Sequence, residues 1–159
     1  MMNVKRETIL SPCRQYRYCL WREWDKMNQS YAMFVGLNPS TADEVADDPT
    51  IRRCVDYAKR WGYGALCMVN LFAYRAPKPN VMKNHTAPVG PENDCRLTEL
   101  AEGAGIVIAA WGINGSHMQR DQVVKHLLAG KLSCLGRTKG GHPKHPLYVK
   151  ADVKPSLFA

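Results

Sequence analysis

Long apolar runs are missing from this chain. The run at residues 106–111, IVIAAW, covers only six positions, far short of the ~20 that a membrane-spanning helix requires. The opening stretch MMNVKRETILSPC has basic residues but no apolar segment behind them, so no secretory leader is expected, and the expected location is the cytoplasm with no membrane partner. Also missing is any Cys-x-x-Cys pair among the six cysteines at 13, 19, 54, 67, 95 and 134. Without that spacing nothing points to a zinc or iron–sulfur site, and neither a metal nor another cofactor is expected. Cys54 falls on a predicted helix and Cys67 and Cys134 on predicted strands, where a reduced thiol behaves as a small hydrophobe. Acidic side chains are in deficit, 14 against 22 Lys and Arg, for a net charge of +8. That balance favours a polyanionic partner, although a solvated basic surface accounts for it equally well. Internal repeats and low-complexity segments are absent, and 159 residues at 45% hydrophobic content fit one α/β domain over 1–159, with its core at about 15–150.

What is present is organised around residues 31–53, YAMFVGLNPSTADEVADDPTIRR. An apolar run stopped by Gly36 delivers Asn38, Pro39, Ser40 and Thr41 to the carboxyl end of a strand, where open α/β sheets keep their chemistry. Asp47 and Asp48 can cap a helix with Pro49 as its first residue, because a carboxylate accepts the orphan amides of the first turn. Helical spacing then places Ile51, Cys54, Val55, Ala58 and Trp61 on one face, and Gly62 stops the helix. Strands are expected near 32–37, 65–71, 106–111 and 131–135, with helices near 91–102 and 117–129. Alternation of this kind predicts a four-stranded parallel sheet in a three-layer sandwich. An N-terminal strand within 15–24 is expected to pair antiparallel beside 32–37. Residues 73–91, with four prolines, read as a long ordered loop. The tail after Val149 reads as too short and polar to build another layer.

Four short signals close the four strands: GLNPS at 36–40, Asn70, Trp111-Gly112, and HPKHPL at 142–147. Singly each has a plain explanation. Asn-Pro-Ser bends chains, a strand-end amide bonds neighbouring backbone, and loop histidines are commonly exposed. Their shared edge of the sheet is what argues for function. If the strand order reverses in the middle, the loops after 35 and after 111 meet at a switch point. Asp43, Thr50, Arg52 and Arg53 complete the stretch, where Ser40, Thr41 and a helix amino terminus would suit a phosphate.

The signals GLNPSTAD, DPTIRR, VNLFAYR, AAWG and GHPKHPLY resemble an uncharacterised bacterial and phage family, domain of unknown function 1643, over nearly the whole chain from 18 to 149. More distantly, Gly36-Leu37-Asn38-Pro39, Asn70 and His142-Pro143, or His145-Pro146-Leu147, are similar to the strand-end loops of the uracil-DNA glycosylase superfamily. That second resemblance implies a glycosylase-like sheet and hydrolysis of a deaminated or modified base from DNA. Its catalytic candidates are Asn38, to hold water, and His142 or His145, to bond the departing base. Asn70 would contact the base's edge, and Gly36, Pro39, Ser40, Thr41, Phe72, Tyr74 and Trp111 would form the slot. Arg52, Arg53, Arg75, Lys139, Lys144, Leu147 and Tyr148 would meet the nucleic acid, the last two as a wedge. An amide cannot take a proton from water near neutral pH, so Asp43, Asp47 or Asp48 would have to supply a carboxylate. A non-catalytic binder of a modified base, and an enzyme acting on free nucleosides or nucleotides, are the alternatives.

Overall fold

The structure, a computed structural model, describes residues 7–40, 42 and 45–158. Its strands are β1 (Ile9–Leu10), β2 (Arg17–Glu23), β3 (Tyr31–Gly36), β4 (Ala65–Asn70), β5 (Ile106–Ala109), β6 (Leu132–Cys134) and β7 (Ser156–Leu157). Its α-helices are α1 (Pro49–Arg60), α2 (Pro79–Lys83), α3 (Asn93–Gly103) and α4 (Arg120–Leu127). The sheet is mixed and seven-stranded, in the order β1-β2-β4-β3-β5-β6-β7. The expected four strands are present and mutually parallel at its centre, but three antiparallel strands extend them, so a four-stranded parallel sheet understates the architecture.

Period-two alternation along fully buried strands divides the core into two layers. Phe34, Leu66, Met68 and Ile108 face α1, meeting Ile51, Cys54, Tyr57 and Ala58. Met33, Val35, Val69, Val107 and Ala109 face the other way, against Leu97 and Leu100 of α3 and Val124 of α4. Helices therefore cover both faces. On the α1 side Phe34 stacks with Trp61 at 5.8 Å and with Tyr57 at 6.3 Å, contacts worth ~0.5–1.5 kcal/mol each beyond area burial. Helix α1 starts as its sequence dictates: Asp48 caps it, accepting the Ile51 amide at 2.9 Å, with Pro49 in the first turn.

Four expectations need correction. Strand β2 pairs with β4 and not with β3, because crossover connections put β4 and β5 on the two edges of β3 and leave it no free edge. The helix expected from residue 117 begins at Arg120, since Met118 and Gln119 both take φ of 55°, outside the helical region. Residues 112–119 form instead 3-10 turns interrupted by a kink at His117 and Met118. The proline-rich loop contains α2, five residues opened by Pro79. The tail does add to the sheet: β7 pairs antiparallel with β6, and Phe158 is buried with Lys125 and Arg137 over its ring at 4.7 and 4.6 Å. Cys19, Cys54, Cys67 and Cys134 are buried and Cys13 and Cys95 exposed, and none of the six is in a disulfide.

Candidate functional site

Strand β3 lies between β4 and β5, so the chain reverses direction across the sheet there, and the loops leaving β3 and β5 diverge to opposite faces. Such a switch point opens a crevice at the carboxyl ends of parallel strands. A cleft of about 450 Å³ occupies it, within the usual range for small-ligand pockets. Asn38, Asn70 and His145, from three separate segments, line it together, with Arg17, Ser40 and Asp48.

Asn38 is half-buried, and its amide nitrogen donates to the carbonyls of Pro39 at 3.1 Å and Ala76 at 3.0 Å. Those two bonds fix the amide's orientation and leave Oδ1 as the available acceptor. They also explain why an amide occupies the position, since a carboxylate would face two carbonyl oxygens. Asn70 is 2% exposed, and its Nδ2 has no partner among the described residues. Its Oδ1 lies over Gly36, where a Cβ would come within 2.8 Å; the glycine makes room for the amide. A buried donor without an acceptor costs ~1–3 kcal/mol, so an orphan in a cleft points to a ligand atom.

His145 precedes a 3-10 turn at Pro146–Tyr148, and its Nδ1 accepts the Leu147 amide at 3.2 Å. The proton of the neutral ring is therefore on Nε2, a donor. The hydroxyl of Tyr57 reaches the carbonyls of Pro146, Val149 and Lys150, and Arg53 Nη2 donates to Val149 at 2.6 Å. Helix α1 thus holds the His145 loop. Burial lowers the imidazole pKa below 6.5, with Asp48 opposing the shift. Between that lowered value and 6.5 the folded chain binds fewer protons than the unfolded one, so stability rises with pH through this window and acidification weakens the fold. A proton NMR titration of His145 is expected to give a midpoint under 6.5, and a midpoint above it would contradict a neutral donor at the cleft.

Asp48 is the carboxylate that lines the cleft among the described residues. Besides capping α1 it accepts the Ser40 hydroxyl at 3.0 Å on Oδ2. Asp47 turns away, paired with Arg22 at 2.7 Å. Thr41 and Asp43 lie outside the described residues.

Several expected residues are elsewhere. His142 does not line the cleft: its main chain pairs with Thr138 in the turn closed by Arg137 and Pro143, and its ring lies near Gly140. Of the two histidines, His145 is the one at the site. Phe72 is buried in the core against His117, and Tyr74 stacks on His85 at 3.8 Å, so neither forms the slot. Trp111 lines the cleft, but it is 2% exposed, perpendicular to the Phe158 ring at 5.8 Å and close to Gly115, so little of its indole is open to a base. Pro39 is buried beneath the cleft loop, its carbonyl taken by Ala76. Leu147 and the 84% exposed Tyr148 line the cleft. Leu147 also borders an adjoining open groove with Arg52, Arg53 and Asp56. Arg75 is tied to the Arg14 carbonyl, and Lys139 and Lys144 are exposed on the 136–144 turn. Among the described residues no group of three or more His, Cys, Asp or Glu is placed to hold a metal ion.

Arg17 is the charged cleft residue that sequence reasoning missed. Its amide donates to the Ala73 carbonyl at 2.9 Å, beside the Tyr16↔Tyr74 bridge, so it sits just past the end of β4. An antiparallel neighbour begins where parallel strands end, so the first residue of β2 arrives at the functional edge. Placing β2 beside β4 would have revealed it.

The profile of a family described as "Protein of unknown function (DUF1643)" matches residues 17–147. No curated protein and no solved structure matches the chain.

Proposed function

The chain belongs to that family, and we propose that its cleft takes a nucleobase and hydrolyses the N-glycosidic bond, as a DNA glycosylase-like enzyme on a deaminated or modified base. The observation that carries this reading is the convergence of Asn38, Asn70 and His145 on one cleft at the strand ends. Four contiguous parallel strands with those loops at their carboxyl edge support the likeness to the uracil-DNA glycosylase fold.

In the proposed reaction a water oxygen bonds to C1′ of the sugar while the C1′–N electron pair leaves with the base. Asn38 Oδ1 accepts a hydrogen bond from the water and so orients it. Asp48 takes the proton, because the amide cannot. His145 Nε2–H donates to the carbonyl oxygen on which negative charge develops. Asn70 Nδ2–H supplies the contact that selects the base. Tyr148 and Leu147 fill the gap left by an extruded nucleotide, and Arg52 and Arg53 border the groove along which a strand would run.

A non-catalytic binder of a modified base is the second reading, favoured by one observation: both Asp48 oxygens are already engaged, by Ile51 and Ser40. The test is incubation with single- and double-stranded oligonucleotides carrying uracil, hypoxanthine or bulky modified pyrimidines, read by mass spectrometry for free base. Release from at least one substrate is expected. Binding without release across the panel would leave the binder. Affinity that falls steeply with salt marks a nucleic-acid ligand, whereas a free nucleotide responds weakly.

A further inference from the structure

Among the described residues two arginines are deeply buried, and their surroundings differ. Arg120 donates through Nε and Nη2 to the Leu71 carbonyl at 3.1 and 2.9 Å, and Nη2 also pairs with Asp94 at 2.7 Å. Arg17, 2% exposed, gives Nη1 to the Ala42 carbonyl at 2.7 Å, while its Nε has no partner among the described residues. Among the described residues no carboxylate forms an ion pair with Arg17. Asp48 is near enough to favour its charge, but Arg75 and Arg22 oppose it, and burial depresses the guanidinium pKa to about 10. A buried cation with one neutral acceptor is costly to maintain unless something else neutralises it.

Arg17 faces the same cleft as Asn70, whose Nδ2 is also an unpartnered donor. Two buried donors, one of them cationic, call for a ligand rich in acceptors and negatively charged at one end. Arg53 sharpens the contrast. Its Nε also lacks a partner, but its side chain is committed to Val149 and the Tyr57 ring.

We propose that Arg17 forms an oxyanion subsite inside the cleft, so that the ligand is a base or nucleotide carrying a carboxylate or phosphate next to the edge that Asn70 contacts. This rests on the base-binding reading of the cleft. A carboxylate on the base and a phosphate on the sugar share the chemistry that a guanidinium recognises, and the ligand series separates them. The subsite also gives the strand-end placement of Arg17 a purpose that the proposed hydrolysis does not supply.

The experiment is a calorimetric titration of the native protein with deoxyuridine, its 5′-monophosphate, 5-carboxydeoxyuridine and inorganic phosphate, repeated with Arg17→Gln and Arg17→Lys. One of the two charged nucleosides is expected to bind at least tenfold more tightly than deoxyuridine. Arg17→Gln should abolish that preference and Arg17→Lys retain part of it. In the native protein the Arg17 Nε–H resonance should shift on adding the preferred ligand, a readout that stands if either variant fails to fold. Equal affinity for charged and neutral ligands, or a preference that survives Arg17→Gln, overturns the subsite. Binding of phosphate without any nucleoside, with the Nε–H shift, supports the subsite and rejects the base-binding reading.

Discussion

Base release by a His145→Ala variant is expected to be roughly a hundredfold to a thousandfold slower than by the native protein, the usual scale for one donor to a developing anion. The ring's geometry leaves it little other use. Its Nδ1 is occupied by the Leu147 amide, its loop is held by Tyr57 and Arg53, and its neutral state leaves Nε2–H for the cleft. His142→Ala is the matched control, because that ring lies by the Gly140 turn outside the cleft, and it should keep its rate within about twofold, the scatter of a surface change. Single-turnover rates for both variants, with circular dichroism to show that each is folded, decide the matter. Equal losses from both would remove His145 from its role.

Phe34→Ala is expected to cost about 3–5 kcal/mol of stability, since removing a fully buried aromatic leaves a cavity as well as losing transfer energy. Phe34 has no exposed surface and stacks between the sheet and two α1-side rings, Tyr57 and Trp61. Against the ~5–15 kcal/mol total of an ordinary domain this is a large share. Phe34→Leu, closer in volume, should lose less, about 1–2 kcal/mol. Urea denaturation at constant m-value measures both. A loss under about 1 kcal/mol for alanine would mean that α1 collapses onto β3 and refills the space.

The central strands and α1 were legible because their signals are local. A short apolar run bounded by Gly36 and a Pro after two aspartates carry their own stop and start. The meeting of Asn38 with Asn70 also followed from sequence, since strand ends of one parallel sheet share an edge. Choosing between His142 and His145 did not follow: two His-Pro pairs three residues apart read alike, and only the turn joining Thr138 to His142 shows which faces inward. Phe72 and Tyr74 were misplaced for a related reason. Past the end of β4 the period-two rule no longer applies, and the chain bends toward Pro88 and Val89, whose carbonyls accept the amides of Tyr74 and Ala73. Arg17 depended on strand order, a long-range property that periodicity does not encode.

The antiparallel additions also change which backbone the sheet leaves open to another chain. A parallel core ending in β4 on one side and β6 on the other would present unpaired backbone to any passing chain, a template for aggregation. Here the outermost strands of the described sheet are β1 and β7, each two residues long. A second molecule pairing with either of those strands would find few ladder positions to extend. Strand-by-strand polymerisation is thus a poor route for this fold, and substitutions that detach Phe158, and β7 with it, would uncover the backbone of β6 and open that route.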